Sequence, residues 1–76
     1  MKILDSALKH GYLPDEIEKV VNECPQRLKF KSRFGMCYVY WGADRKGNMI
    51  EVFMDVENED IFHVMKLSKT IENMIR

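Results

Sequence analysis

Two runs of aromatic and branched residues, joined by a turn, stand at the centre of the chain: MCYVYWGADRKGNMIEVFMDV, residues 36–56. Residues of these types favour strands. Residues 45–47, Arg-Lys-Gly, place a glycine last in a three-residue loop, the pattern of a type I turn followed by a left-handed residue. A loop of that length aligns two pairs of residues, Tyr40 with Val52 and Tyr38 with Met54. The stretch therefore predicts an antiparallel hairpin.

A further strand is predicted on each side of this hairpin. Residues 27–31 alternate between basic and apolar side chains, the period of a half-buried strand, and residues 33–35 form a second three-residue loop ending in glycine. Residues 61–67 form the fourth strand, after an even-numbered loop at residues 57–60. These two loops align four more pairs: Phe30 with Tyr38, Leu28 with Tyr40, Met54 with His63, and Phe53 with Val64.

Helices are predicted at both ends of the chain. Residues 3–8 carry apolar side chains at helical spacing, and Gly11 offers the left-handed residue that ends a helix. Pro14 opens a second helix, which Pro25 stops. Ser68 caps a last helix. The predicted fold class is therefore α+β, with two N-terminal helices packed on a four-stranded antiparallel meander and a short C-terminal helix.

Length and composition limit the classes of function. The chain has 76 residues, which predicts a single α+β domain over residues 1–76 with one core. Its formal net charge is zero, which argues against attraction of nucleic acid by the whole surface but allows a local basic patch. No apolar run is long enough to cross a bilayer, and no secretory signal is recognised after Met1. We therefore expect a cytoplasmic protein with no membrane partner.

Neither a metal nor a cofactor is expected. Cys24 and Cys37 do not form the closely spaced ligand pairs that are typical of zinc sites, although a site that combines them with His10 and His63 is conceivable. We interpret the two cysteines as small, semi-buried and reduced residues. No phosphate-binding loop, catalytic triad or pair of catalytic carboxylates is recognised.

The predicted register divides the sheet into two faces. One face is almost wholly apolar and is assigned to the core beneath the first two helices. The other face places basic residues beside aromatic ones: Arg27, Lys29, Lys31, Arg33, Trp41 and Phe53. Cations that meet phosphate, next to rings that stack on bases, are typical of sheets that bind RNA. Three alternatives stay open: the basic residues protect an edge strand, the last helix covers the aromatic residues, or the face binds a protein.

His63 is the candidate for acid–base chemistry, because the charge of histidine changes near neutral pH. A ribonuclease needs a base, an acid and a cation that stabilises the negative charge developing on phosphorus. Lys66 is the candidate cation. The predicted register, however, places His63 on the core face and Lys66 on the other one, so a hydrogen-bonded core histidine is the alternative. His10 is interpreted as a residue that complements a helix dipole.

Three segments resemble the BrnT-like toxins, a family of small bacterial proteins. Residues 8–11, Leu-Lys-His-Gly, together with the acidic helix that follows, resemble the opening of those toxins, and residues 42–52 resemble their central hairpin. Residues 62–65, Phe-His-Val-Met, resemble the last strand of a branch with a His-Ala-Met motif. The family has a serine before its second helix where this chain has Leu13. The resemblance implies a RelE-like fold, ribonuclease activity on messenger RNA and neutralisation by a dimeric DNA-binding antitoxin.

Two hypotheses of function follow. The first is a toxin-like ribonuclease of a bacterial toxin–antitoxin pair, that is, a metal-independent endoribonuclease with RNA as its substrate and an antitoxin protein as its partner. The second is a non-catalytic protein-interaction module that uses the open face of the sheet around Trp41 and Phe53. A homodimer is compatible with both hypotheses.

Overall fold

The computed structural model describes residues 1–76 and contains five strands and three helices. The strands are β1 (Lys2–Ile3), β2 (Leu28–Ser32), β3 (Gly35–Ala43), β4 (Met49–Asp55) and β5 (Asp60–Lys66). The helices are α1 (Asp5–Leu8), α2 (Pro14–Glu23) and α3 (Lys69–Ile75). The α+β class is confirmed, but the sheet has five strands instead of the predicted four. None of the helices combines the length and the apolar character that crossing a membrane requires.

The strands lie in the order β1-β5-β4-β3-β2, so the predicted meander of β2 to β5 is confirmed. β1 is the strand that the sequence did not predict. It pairs in parallel with β5, Lys2 with Asp60 and Ile3 with Ile61, where we predicted the start of the first helix. A two-residue strand that depends on a partner so distant in the chain leaves no local pattern, and Ile3 fits the helical spacing equally well.

The register of the central hairpin is confirmed, with Tyr40 opposite Val52 and Tyr38 opposite Met54. The turn is closed by Asp44, whose carboxylate accepts hydrogen bonds from the backbone N–H groups of residues 46 and 48, each at 2.9 Å. Gly47 has a φ of 85°, which is the left-handed conformation that the loop pattern requires.

The register of β2 differs from the prediction by one residue. Leu28 pairs with Val39 and Phe30 with Cys37, so the loop is two residues long. The hydroxyl of Ser32 accepts the N–H of residue 34 at 3.0 Å and donates to the carbonyl of residue 35 at 3.1 Å, which closes the turn one residue early. Because a shift of one residue exchanges the faces of a strand, Leu28 and Phe30 pack on the side of α3, not beneath the first two helices.

The register of β5 is also shifted by one residue, and a bulge interrupts it. Phe53 pairs with His63, whereas the next residue of β4, Met54, pairs with Ile61. Phe62 is therefore an extra residue in β5, of the kind that defines a β-bulge. As a result, Phe62 and His63 both lie on the side of α3, although adjacent residues of a regular strand point to opposite faces.

Helices cover both faces of the sheet. On one side, α1 and α2 contribute Ala7, Ile17 and Val20 to a core that they share with buried residues of β3, β4 and β5. On the other side, Ile71 of α3 packs on a smaller cluster that contains Val39. The aromatic residues that pack against this smaller cluster are Phe30, Phe53 and Phe62. The centre of β3 and β4 is thus covered on both faces, and the face that was predicted to be open is partly covered by α3 around Phe53, which is half-buried.

Glu16 ties α2 to the turn between β3 and β4. Its carboxylate accepts the N–H of Leu13 at 2.7 Å, the N–H of Arg45 at 2.8 Å and the Nη1 of Arg45 at 2.6 Å. Burial would raise the pKa of Glu16, but the bonds from the two backbone N–H groups and the Arg45 guanidinium lower it overall. Leu13 has no side-chain acceptor, so only the glutamate half of a capping box forms here.

Candidate functional site

A cavity of about 840 Å³ opens between the residues after α1, the β2–β3 turn, β5 and the start of α3. Cavities of this size are typical of ligand-binding sites. Five basic or histidine residues line it, and no Asp or Glu does. These five residues are Lys9, His10, Lys31, Arg33 and His63. We call this site the basic cavity.

The three permanent cations of the basic cavity, Lys9, Lys31 and Arg33, form no ion pair with any carboxylate of the chain. Their charge is therefore not neutralised locally, although the formal charge of the whole chain is zero. A concave surface lined by one sign of charge attracts ligands of the opposite sign. The basic cavity thus has the electrostatic character of an anion-binding site.

His63 is held at the wall of the cavity by a buried carboxylate. Its Nε2 lies 3.0 Å from Oε2 of Glu51, whose side chain is only 4% exposed. The other oxygen of Glu51 accepts the backbone N–H of Ser68 at 2.8 Å, at the start of α3. Burial would raise the pKa of Glu51, but the hydrogen bonds from His63 and Ser68 outweigh it and lower the pKa below the ordinary value.

These contacts determine which nitrogen of His63 carries the proton. An ionised carboxylate can only accept hydrogen bonds, so the Nε2 of His63 must be the donor to Glu51. In the neutral imidazole the other nitrogen, Nδ1, is then an acceptor, and no group of the chain bonds to it. His63 therefore offers a free basic nitrogen while its ring is kept in one orientation.

Glu51 belongs to this candidate site, and it was not predicted from the sequence. It lies on β4, a central strand with helices on both sides, so even a residue pointing away from the main core is buried there. The signal was a single carboxylate between Ile50 and Val52, within an otherwise apolar run. A buried charge requires partners, and these are His63 and the N–H of Ser68.

A line of aromatic rings runs from the mouth of the basic cavity to His63. The rings of Phe34 and Phe62 meet edge to face with their centroids 5.9 Å apart, and those of Phe62 and Phe53 do so at 6.1 Å. The ring of Phe53 in turn lies 4.6 Å from that of His63. The guanidinium of Arg33 lies 4.9 Å from the centre of the Phe34 ring. The cavity thus combines cations and aromatic rings.

Four of the residues predicted from the sequence come together in this cavity, and they are Lys31, Arg33, Phe53 and His63. Phe34 and the two residues after α1, Lys9 and His10, were not predicted to belong to it. The cavity therefore brings basic and aromatic residues together, but its aromatic residues include Phe34 and Phe53 and not Trp41. Its location follows from the β2 register and the β5 bulge, neither of which the loop patterns indicated.

The other four predicted residues lie elsewhere. Arg27 is on the side of α2, where its guanidinium lies 3.6 Å from the centre of the Tyr38 ring and donates to the Tyr40 hydroxyl at 3.0 Å. Lys29 pairs with Tyr38 on that same side, as the shift of β2 requires. Trp41 lies beside the C-terminal half of α2.

Lys66 cannot act together with His63. It pairs with Ile50, so it lies on the face opposite to His63, and its side chain is exposed there. The predicted opposition of the two residues is confirmed, but their faces are exchanged, because the bulge shifts β5 by one residue. Cys24 and Cys37 likewise pack on opposite sides of the sheet. Comparisons with protein-family models, with curated proteins and with solved structures find no match for this chain.

Proposed function

We propose that this protein is a metal-independent endoribonuclease of the toxin type that binds RNA in the basic cavity and cleaves it there. One observation carries the proposal: the oriented His63–Glu51 pair faces a cavity that also collects unpaired cations and a second histidine. The resemblance of residues 8–11 and 42–52 to BrnT-like toxins favours the same chemistry.

The proposed reaction uses the two histidines of the chain as base and acid. Nδ1 of His63 takes the proton of a ribose 2′-hydroxyl, and the 2′-oxygen forms a bond to the adjacent phosphorus. The bond from phosphorus to the 5′-oxygen breaks, and protonated His10, on the same cavity, gives its proton to the departing oxygen. The products are a 2′,3′-cyclic phosphate and a 5′-hydroxyl.

The cations and the carboxylate have separate roles in this scheme. Arg33 and Lys31 stabilise the negative charge that builds up on the phosphate oxygens during the attack. Glu51 is a positioning residue, because it touches no substrate and acts by holding the tautomer and orientation of His63. An antitoxin protein that covers the basic cavity is the partner we propose.

The test is a cleavage assay on a labelled single-stranded RNA in the presence of EDTA, followed by analysis of the product ends. We expect cyclic phosphate and 5′-hydroxyl ends, and we expect His63→Ala to lower the rate by about 10²–10⁴-fold, the usual contribution of a general base. Lys46→Ala is the control, since Lys46 is an exposed residue of the β3–β4 turn, outside the cavity.

Two outcomes would contradict the proposal. The absence of cleavage by the wild-type protein, together with the absence of RNA binding at low salt, would favour a non-catalytic module that binds protein. Equal cleavage by wild type and His63→Ala would show that the histidine is not the base. In the second case the ribonuclease activity would be retained, and its catalytic base would be a different residue.

A further inference from the structure

Phe34 stands out among the aromatic residues by its exposure. Its exposed fraction is 70%, the highest of the large apolar residues, although its ring lies at the wall of the basic cavity. A phenylalanine in a two-residue turn contributes little to the core, so the stability of the sheet does not account for its presence. The ring is instead exposed at the wall of the cavity, where a molecule in the cavity can reach it.

The ring of Phe34 is held in place from two directions. The Ser32 hydroxyl accepts the N–H of Phe34 and donates to the carbonyl of residue 35, which fixes the turn, and the edge-to-face contact with Phe62 supports the ring. Arg33 places its guanidinium 4.9 Å from the ring centre. A preorganised ring loses little conformational entropy when a flat ligand stacks on it.

We propose that Phe34 is a stacking platform for one unpaired base of single-stranded RNA, and that Arg33 binds the phosphate of that nucleotide. This inference rests on the proposed function and names its substrate class. An aromatic residue at this position would also suit a protein partner, but three unpaired cations and no carboxylate in the same cavity favour a polyanion. Among polyanions, nucleic acid offers flat rings that stack on an aromatic side chain.

The platform leads to a specific form of selectivity. Stacking uses the flat surface that all bases share, so Phe34 would not discriminate between base sequences. It would discriminate between single-stranded and double-stranded RNA, because the bases of a duplex are already stacked and paired and present no free surface to the ring. We therefore expect a preference for unpaired RNA that depends on Phe34 and is independent of base identity.

The experiment measures binding by fluorescence anisotropy with three labelled probes. These are a short 2′-O-methyl oligouridylate, the same strand with abasic sites, and a duplex of the same length. The 2′-O-methyl group removes the nucleophile, so the wild-type protein cannot cleave the probe. Phe34→Ala should weaken binding of the single strand by about 5- to 150-fold, the equivalent of roughly 1–3 kcal/mol per stacked base. It should leave binding of the abasic strand and of the duplex unchanged.

Phe34→Tyr should retain the affinity, since it preserves the ring, and Met49→Ala serves as the control at an exposed apolar residue outside the cavity. An equal loss of affinity for all three probes in Phe34→Ala, or no loss for any of them, would overturn the proposal that Phe34 is a stacking platform. A wild-type protein that binds none of the probes would overturn the platform and the proposed function together. Binding with the expected dependence on Phe34, without cleavage of ordinary RNA, would support the platform and overturn only the ribonuclease.

Discussion

His63 and Glu51 lie on neighbouring strands with Nε2 and Oε2 3.0 Å apart, and the β-bulge at Phe62 is what brings them to the same face. If residues 61–63 alternated regularly, His63 would lie on the same face as Ile61 and point into the core beneath α1 and α2. The contact depends on strand geometry as much as on the chemistry of the two side chains.

The first prediction concerns the tautomer of His63. In the wild-type protein the proton should reside on Nε2, since Glu51 accepts it. In Glu51→Gln, the amide offers both a donor and an acceptor, so the preference should weaken and the cleavage rate should fall by about 10- to 100-fold, as for other outer partners of functional histidines. ¹⁵N chemical shifts of the imidazole report the tautomer directly. An unchanged tautomer in the variant would show that Glu51 is not the positioning residue.

The second prediction is a dependence of stability on pH. The pKa of Glu51 is lowered in the folded state, so its contribution to stability is present above the unfolded glutamate value of about 4.3 and is lost as the pH falls through the folded value. Wild type should therefore be more stable than Glu51→Gln at pH 7, and the difference should shrink on acidification below about pH 4. Urea midpoints at several pH values measure this. A difference in stability that stays constant across this pH range would show that the lowered pKa of Glu51 is not its cause.

The third prediction separates the two partners of the Glu16–Arg45 pair. Glu16→Ala removes the acceptor of two backbone N–H groups as well as that of the guanidinium, and should cost about 1–3 kcal/mol. Arg45→Ala keeps the backbone bonds, and the Arg45 side chain is 48% exposed, so it should cost no more than about 1 kcal/mol. The free energies of unfolding of both variants test this order. Equal costs would mean that the ion pair, not the backbone bonds, ties α2 to the turn.

The fourth prediction concerns the core. Val52 is fully buried on β4, with α1 and α2 above it, and Val52→Ala should lower the free energy of unfolding by about 2 kcal/mol through lost burial and a residual cavity. Met49→Ala, at an exposed residue of the same strand, should change it by less than about 0.5 kcal/mol. Denaturant titration compares the two, and similar midpoints would place Val52 outside the core.

The fifth prediction concerns the salt dependence of RNA binding. Lys31→Ala and Arg33→Ala should each weaken binding and lower the slope of log affinity against log salt by about 0.7, the value for one phosphate contact on a single strand. Lys29→Ala should change neither quantity, because Lys29 does not line the basic cavity. The sequence pattern alone predicts the same effect for Lys29 and Lys31. Weaker RNA binding by Lys29→Ala would therefore favour the interface predicted from the sequence over the basic cavity.

The strand register could be predicted correctly where the residues of the turn themselves determine the length of the loop. The β3–β4 register follows from Gly47 and from the carboxylate of Asp44, both readable in the sequence. The β2–β3 turn also ends in a glycine, but there the Ser32 hydroxyl closes the loop one residue earlier, and a hydroxyl leaves a weaker pattern than Asp-x-x-Gly.

The candidate site was predicted less well than the fold because it depends on the least readable features. The bulge at Phe62 has no sequence pattern of its own, and it decides the face of His63. Lys9 and His10 reach the cavity through tertiary packing, which local spacing does not report. The choice of His63 as a candidate came from the chemistry of histidine and did not require the register to be right, whereas Lys31 and Arg33 were chosen from the predicted face.

The bulge in β5 also changes what a shortening of this strand would do. The turn at residues 57–59 is exposed and could gain or lose a residue while β4 and β5 remain paired. Deleting Phe62 would remove the bulge and place His63 directly after Ile61, where regular alternation keeps His63 opposite Phe53 and beside Glu51. For this chain, a deletion of one codon at Phe62 would therefore be a milder genetic lesion than the same deletion at a regularly paired position of the strand, beyond which every residue would change face.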